Sequence, residues 1–195
     1  MSDGGTVNAT GAGAPGTRDD SFREVYEDLV PRLRGFILAG TQDAEAAQDV
    51  LQEAMIRLWR SPFYTSSDTR TPEQLRRYAF RIAANLLKDR RKSLARYSRT
   101  IAAFEEDRSA PLKETHPEVP MDLQRAMGML KERERTLLWL AHAENYTHAE
   151  IADLTGYSKL SVRVLLSRAR GRLRKIFEAR DSRKPSAGRP DGELI

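Results

Sequence analysis

The sequence has no cysteine, few aromatic residues and no long apolar run. Without cysteine, the 195-residue chain can form neither a disulfide nor a thiolate metal site. Aromatic residues make up 7% of it and charged residues 31%, which favours small helical modules over one large core. No apolar run is long enough to span a bilayer, and the N-terminus lacks the basic and apolar regions of a secretory signal. We therefore expect a cytoplasmic protein with no membrane insertion and no cofactor.

The segment 147–175 predicts two helices joined by a tight turn. Thr147 is a candidate N-cap, with Glu150 three residues on as its capping-box partner. Gly156 can end this helix in the left-handed conformation, and Ser158 can cap the next one. Between positions 158 and 176 there are seven basic residues and no acidic one. This pattern is typical of a helix that lies in the DNA major groove, although an amphipathic helix with a solvated arginine face would also produce it.

The second of these helices has two distinct faces. Apolar residues recur on one side at helical spacing, which predicts a buried stripe of Val162, Leu165, Leu166, Ala169, Leu173 and Ile176. The remaining positions present side chains that can bond bases or phosphates, or touch a thymine methyl group. The candidate DNA-binding residues of this helix are Lys159, Ser161, Arg163, Val164, Ser167 and Arg168.

Helical periodicity without any strand pattern predicts an all-α protein of two small helical domains joined by a flexible linker. Residues 1–20 and 179–195 are predicted to be disordered tails because they are polar or rich in small residues. The acidic, proline-containing segment 99–120 is predicted to be an extended linker between domains at 21–98 and 121–178. Inside the first domain we expect three helical stretches. The first begins at about Ser21 and is kinked or divided by Pro31, and the other two cover 44–60 and 72–96.

The helix expected at 44–60 has an acidic face opposite an apolar stripe of Ala47, Val50, Leu51, Ala54 and Leu58. Between positions 43 and 53 there are four carboxylates and no base. Phosphates would repel such a face, so it suits a protein partner better than DNA. An ordinary solvated face explains the charge pattern equally well. The candidate protein-binding residues are Asp49, Gln52, Glu53 and Ile56.

The helix expected at 72–96 is basic, with a predicted buried stripe of Leu75, Ala79, Ile82 and Leu86. Basic groups beside an aromatic ring suit single-stranded nucleic acid, and the preceding loop could hold an unstacked base. Packing of Tyr78 in the core and of Phe63 within the loop are equally good explanations. The candidate residues for this contact are Phe63, Tyr64, Ser66, Ser67, Arg77, Tyr78, Arg81, Asn85, Lys88 and Arg91.

Three segments of the chain resemble bacterial RNA polymerase sigma factors of the sigma-70 family, in its extracytoplasmic-function group. AQDVLQEAMIRLW at 47–59 is similar to region 2.2, with Met55 in place of the usual Phe. LRRYAFRIAANLLKDRRK at 75–92 is similar to regions 2.3 and 2.4, with Tyr78 where Trp is common. The segment 146–174 is similar to region 4.2, with Leu165 where Arg is frequent and Ser167 where His or an aromatic is common.

This resemblance implies a non-enzymatic subunit that binds core RNA polymerase and directs promoter-specific transcription initiation. The acidic face would bind the clamp helices of the polymerase β′ subunit, and the β flap is a further expected contact. The 62–91 surface would recognise and melt the −10 element, with the loop at 63–67 holding a flipped base. The helix that follows Ser158 would bind the −35 element. The implied partners are core polymerase, promoter DNA and, as a further candidate, an anti-sigma factor.

Two other classes of function account for less of the sequence. A helix-turn-helix regulator acting without polymerase would use 147–175 as a dimer on symmetric half-sites, but it leaves 47–59 and 75–92 unexplained. An enzyme would have to use His142 and His148, which are six positions apart and share no helix face. No cysteine completes a deaminase-like zinc site. We therefore expect no catalytic residue and no metal site.

Overall fold

A computed structural model of the chain describes residues 18–65, 71–101 and 120–181. Within these ranges every regular element is an α-helix, which confirms the predicted all-α class. Residues 18–20, 99–101 and 179–181, predicted to belong to the tails and the linker, are helical instead, and the rest of the predicted tails and 102–119 lie outside the described residues. The helices are α1 Arg18–Thr41, α2 Ala44–Arg60, α3 Pro62–Thr65, α4 Pro72–Ile101, α5 Met121–Gly128, α6 Glu132–His142, α7 His148–Thr155 and α8 Lys159–Asp181.

The N-terminal half is built from α1, α2 and α4, which pack on one another. The carboxylate of Asp43 accepts a hydrogen bond from the Ala46 backbone N–H at 3.1 Å and so caps α2. All five residues predicted to form the α2 stripe are buried, together with Ala46 and Met55. Pro31 does not divide α1, which continues through it as one helix, and the predicted loop at 61–71 contains the short helix α3.

The buried stripe of α4 was predicted partly wrongly. Leu75 and Ala79 are buried as expected, but the stripe continues through Phe80, Ala83 and Leu87. Ile82 and Leu86 pack only partly against the core. The reason is that α4 contacts α1 and α2 and also α7, so its buried surface is wider than a single-sided stripe and rotated from it. The helix also continues to Ile101, past the predicted end at 96.

The C-terminal half contains the predicted helix-turn-helix, and each of its predicted helix caps is present. The Thr147 hydroxyl accepts from the Glu150 backbone N–H at 3.3 Å, and the Glu150 carboxylate accepts from the Thr147 backbone N–H at 2.8 Å. Gly156 ends α7 with φ of 71°, a conformation that costs glycine little. The Ser158 hydroxyl accepts from the Ser161 backbone N–H at 3.1 Å and starts α8. Local chemistry therefore fixes both ends of the turn.

The two halves share one continuous core. Helix α1 packs on α6 and helix α4 packs on α7, so the buried cluster extends from Leu33 and Phe80 into Leu137 and Ile151. Burying Leu, Ile or Phe stabilises a fold by roughly 1.5–3 kcal/mol per side chain, so this shared core couples the two halves energetically. In the part of the chain that is described, no helix is both long and apolar enough to cross a membrane.

Candidate functional site

The acidic face of α2 lies on the surface of the N-terminal half. Asp49 and Gln52 are exposed, and the Ile56 side chain is 46% exposed despite being apolar. The Glu53 carboxylate accepts a hydrogen bond from Arg57 Nε at 2.6 Å, one turn away on the same helix. An exposed pair of this kind contributes little to stability, so Glu53 remains available to another cation. The structure thus places all four predicted residues on accessible positions of one helix.

The predicted base-holding segment begins directly after α2. The Ser61 hydroxyl donates to the Leu58 carbonyl oxygen at 2.7 Å and accepts from the Tyr64 backbone N–H at 3.2 Å, which holds α3 against the end of α2. The Phe63 ring stacks on the Tyr78 ring, with centroids 4.4 Å apart and planes at 16°. Both rings are partly buried. Ser66 and Ser67, predicted for the same site, lie outside the described residues.

The basic side chains of α4 do not all point the same way. Arg81 and Asn85 are exposed, as expected for a nucleic-acid surface. Arg77 forms an ion pair with Glu150 of α7, and Arg91 Nη1 lies 3.5 Å from a carboxylate oxygen of Glu132. Arg77, Arg91 and the half-buried Lys88 therefore face, or lie beside, the C-terminal half.

Two carboxylates that meet these arginines have shifted pKa values, in opposite directions. Hydrogen bonds from the Thr147 backbone and hydroxyl lower the pKa of Glu150. Burial raises the pKa of Glu132, and the charge of Arg91 opposes that effect. A hydrogen bond to Glu73 and the charge of Glu150 raise the pKa of Arg77. The pairing of Arg77 with Glu150 therefore favours the charged form of both groups.

Helix α8 presents a continuous polar face. Its candidate DNA-binding residues are all exposed, including Val164 at 41%: Lys159, Ser161, Arg163, Val164, Ser167 and Arg168. Of the predicted buried stripe, Val162, Leu166 and Ala169 are buried, and Leu165, Leu173 and Ile176 are partly buried against the core. Further along α8, Arg172 Nη1 lies 2.9 Å from the Glu134 carboxylate and Arg170 Nε donates to His142 at 3.3 Å. The first half of α8 is therefore the part best placed to enter a groove.

Neither of the two histidines considered for an enzyme belongs to a cluster of potential metal ligands among the described residues. His142 accepts the hydrogen bond from Arg170, and His148 is the first residue of α7. Over the three described ranges, the structure contains no group of three or more His, Asp or Glu side chains arranged to hold a metal ion. The surface hydrogen bond from Arg170 accounts for His142, and the start of α7 accounts for His148.

Sequence reasoning missed the residues that join the two halves. Arg135 of α6 is buried and bonds to carbonyl oxygens of α1, which lies 95 and 96 positions away in the chain. Tyr146 is also buried, and its ring packs edge-on against Phe80 of α4 with centroids 5.8 Å apart. Burial raises the pKa of Tyr146 to about 12. The only local signal was an arginine two positions before the apolar run at 137–141.

Comparison with known proteins identifies both halves of the chain. Residues 25–97 match the family model for sigma-70 region 2, and residues 121–173 match the model for sigma-70 region 4. The ECF RNA polymerase sigma factor SigL of Mycobacterium tuberculosis is 29% identical over 172 residues, covering 86% of this chain and 94% of the relative. The RNA polymerase sigma factor CarQ of Myxococcus xanthus is 26% identical over 164 residues, covering 81% and 90%.

A solved structure has the same fold. The sigma factor RpoE from Bartonella quintana, crystallised in complex with the anti-sigma factor NepR, superposes with a TM-score of 0.65. The alignment covers 82% of this chain and 98% of that one, at 19% sequence identity. A regulator acting without polymerase would need only the helix-turn-helix, and the match over 25–97 shows that the chain contains more than that.

Proposed function

Because this chain belongs to the sigma-70 family, in its extracytoplasmic-function group, we propose a separate role for each of its three surfaces. As a sigma factor, the chain binds core RNA polymerase and promoter DNA and directs promoter-specific transcription initiation. The observation that supports separate roles is the segregation of charge, with an acidic face on α2 and basic faces on α4 and α8. We propose 21–98 and 121–178 as the functional domains, acting with polymerase in the cytoplasm and without a catalytic residue.

The face formed by Asp49, Gln52, Glu53 and Ile56 is proposed to bind the clamp helices of the polymerase β′ subunit. Its carboxylates would repel phosphates, so DNA is a poor partner for it. The exposed Ile56 supplies an apolar centre, and the carboxylates around it can pair with basic side chains of a partner. Binding at this face leaves α4 and α8 available for the promoter.

The surface of α3 and α4 is proposed to recognise and melt the −10 element. Arg81 and Asn85 are exposed, and a single strand that follows α4 would bring its phosphates to these side chains. The Phe63–Tyr78 stack lies at the start of the same helix and offers an aromatic face to an unstacked base. Stacking of a base on an aromatic ring contributes about 1–3 kcal/mol, enough to offset much of the cost of unstacking.

The exposed face at the start of α8 is proposed to bind the −35 element in the major groove. Arg163 and Arg168 can pair with guanine edges or phosphates, and Val164 can touch a thymine methyl group. The β flap of core polymerase is a further proposed contact of the C-terminal domain. An anti-sigma factor is also proposed as a partner, since the related fold from Bartonella quintana was crystallised with one.

Replacing Phe63 with alanine tests the assignment of the −10 surface. We expect transcription from a fully duplex cognate promoter to fall about tenfold, because a ring that stacks on the melted strand is lost. On a template in which the −10 region is already mismatched and open, the same variant should recover most of the loss, because less melting is then needed. The measurement is run-off transcription with core enzyme on the two templates.

Tyr97→Ala is the control, since Tyr97 is an aromatic residue that is 66% exposed and lies 19 positions further along α4 than Tyr78, the stacking partner of Phe63. It should leave transcription from both templates unchanged. An equal loss for Phe63→Ala on the duplex and the open template, or no loss on either, would contradict a role in base capture.

A further inference from the structure

The second half of α8 forms one wall of an apolar groove, called here the α8 groove. Helices α5 and α6 pack on α8 and supply the other walls. The groove has a volume of about 570 Å³ and opens to solvent. Apolar surface gathered in a depression of this size is typical of a binding site. Its apolar lining residues, of which all but the buried Leu138 are partly exposed, are Leu123, Met127, Leu138, Trp139, Leu173 and Phe177.

The charged residues that line the α8 groove are all basic among the described residues. Arg170 and Arg174 line it from α8, and His142 lines it from α6. Arg170 Nε donates to His142 Nε2 at 3.3 Å, which holds this arginine beside the groove. The Arg174 side chain is 76% exposed, and its Nε lies 3.4 Å from a carboxylate oxygen of Glu178, an exposed pair that is easily exchanged for another. The groove therefore suits an occupant that is both apolar and acidic.

A neighbouring groove is a poorer match for such an occupant. It shares Phe177 with the α8 groove, has a volume of about 440 Å³ and is lined by residues of α5 and α8. The carboxylate of Asp122 is among its lining groups. Because like charges repel, an acidic segment is favoured in the α8 groove over this one.

The chain contains a segment of the required chemistry shortly after α8. Residues 191–195, with the sequence DGELI, combine two carboxylates with two large apolar side chains. Helix α8 ends at Asp181, and 182–195 lie outside the described residues. The sequence between them includes Pro185 and Pro190, which disfavour continuation of the helix. The segment 191–195 is thus complementary to the α8 groove in charge and in apolar content.

The connection between α8 and 191–195 is long enough for the segment to return to the groove. Arg170 precedes the end of α8 by 11 positions. This separation corresponds to about 17 Å along the helix axis. A flexible chain of the length of 182–190 has a root-mean-square end-to-end distance of about 15–18 Å. A tether that matches its span gives the segment a high effective concentration at the groove, so weak contacts are sufficient.

We propose that residues 191–195 bind the α8 groove of the same chain. Leu194 and Ile195 pack against its apolar residues, and the two carboxylates lie beside Arg170 and Arg174. The bound segment covers the groove, so any apolar partner of this groove must first displace it. The groove residues are separate from the α8 face proposed to bind the −35 element, and the proposal does not depend on the roles proposed for the three surfaces.

Paramagnetic NMR of the free full-length chain tests this binding directly. The absence of cysteine allows one nitroxide label to be attached uniquely, at Pro190→Cys. The methionine methyl groups are labelled with carbon-13 and observed with the nitroxide oxidised and then reduced. We expect the oxidised label to lower the Met127 signal several-fold, because Met127 lines the groove, and to leave Met55 of α2 unchanged.

Charge reversal and its rescue distinguish binding of the segment from mere proximity of the label. Arg170→Glu with Arg174→Glu should restore the Met127 signal, because the groove then repels the acidic segment. Adding Asp191→Lys and Glu193→Lys exchanges the two signs and should lower the Met127 signal again. Both arginines are exposed, so the fold should be retained, and circular dichroism checks that it is.

The control variant, Arg34→Glu with Arg133→Glu, makes the same change of charge at exposed positions on α1 and α6 and should leave the broadening in place. A mixture of spin-labelled chain without isotope and isotope-labelled chain without nitroxide tests for a second copy as the occupant. Broadening in this mixture, broadening that persists after the Arg170 and Arg174 reversal, or none in the unchanged chain would each overturn the proposal. Because the samples contain neither polymerase nor DNA, such a failure leaves the sigma-factor assignment untouched.

Discussion

Asp49→Lys combined with Glu53→Lys is expected to raise the Kd for core RNA polymerase about 100-fold. The change places two cations on the α2 face proposed to meet the β′ clamp helices. Lost charge pairs and new like-charge contacts at such a face cost about 2–5 kcal/mol, and 100-fold corresponds to about 2.7 kcal/mol. Because both side chains lie on the surface, folding should be retained. The measurement is equilibrium binding of the labelled chain to core enzyme in the absence of DNA.

The control applies the same change of net charge elsewhere on the surface. Glu27→Lys with Asp153→Lys alters two exposed acidic residues, one on α1 and one on α7, and should leave the Kd within about twofold because surface charges away from an interface contribute little. Equal weakening by the two double variants would mean that net charge, not the α2 face, governs binding. An unchanged Kd for the Asp49 and Glu53 variant would place the polymerase contact on another surface.

Arg163→Ala combined with Arg168→Ala is expected to weaken promoter binding by the assembled holoenzyme about 100-fold. Each arginine that pairs with a base or a phosphate contributes roughly 1–3 kcal/mol, and both side chains are exposed at the start of α8. The dependence on salt separates the two kinds of contact. If both arginines bind phosphates, the slope of log K against log salt should become shallower by about 0.9 for each.

Arg34→Ala with Arg133→Ala removes the same charge from exposed positions on α1 and α6. That control should retain promoter affinity, and both double variants should retain core binding. If the loss of Arg163 and Arg168 leaves the affinity for the promoter unchanged, α8 does not recognise the −35 element. A uniform loss on all DNA sequences would indicate phosphate contacts alone.

The sequence predicted those parts of the fold that depend on local chemistry. The capping box of Thr147 and Glu150, the left-handed Gly156 and the Ser158 cap are each set by residues within a few positions of one another. All five residues predicted for the α2 stripe are also buried, and Ala46 and Met55 extend that stripe. Such features are visible in a sequence since helical spacing and cap preferences act over a single turn.

The prediction failed where a helix has partners on more than one side. On α4 the expected stripe at Ile82 and Leu86 is displaced to Phe80, Ala83 and Leu87, because α7 covers a second side of the helix. The sequence of α4 does not say which helices will pack on it. Periodicity therefore predicted that this segment is a helix, but not which of its faces is buried in the core.

The contacts between the halves were beyond local reasoning for a further reason. Arg135 would ordinarily be placed on a solvated helix face, yet its acceptors are backbone carbonyls of α1, which any residue carries. Likewise, Glu150 was identified as a cap, and its ion pair with Arg77 joins positions 73 residues apart. Residue type and helix face were thus enough to predict the site residues. The partners that these residues contact within the chain depend on the tertiary structure and could not be predicted.

Whether the chain acts as a sigma factor is tested by run-off transcription with bacterial core enzyme, this chain and a pool of genomic DNA fragments. We expect initiation that depends on the added chain, at sites that share one upstream element near −10 and another near −35. The Asp49 and Glu53 double lysine variant should abolish these transcripts. Transcripts no different from those of core enzyme alone, together with no binding of the chain to core, would contradict its role as a sigma factor.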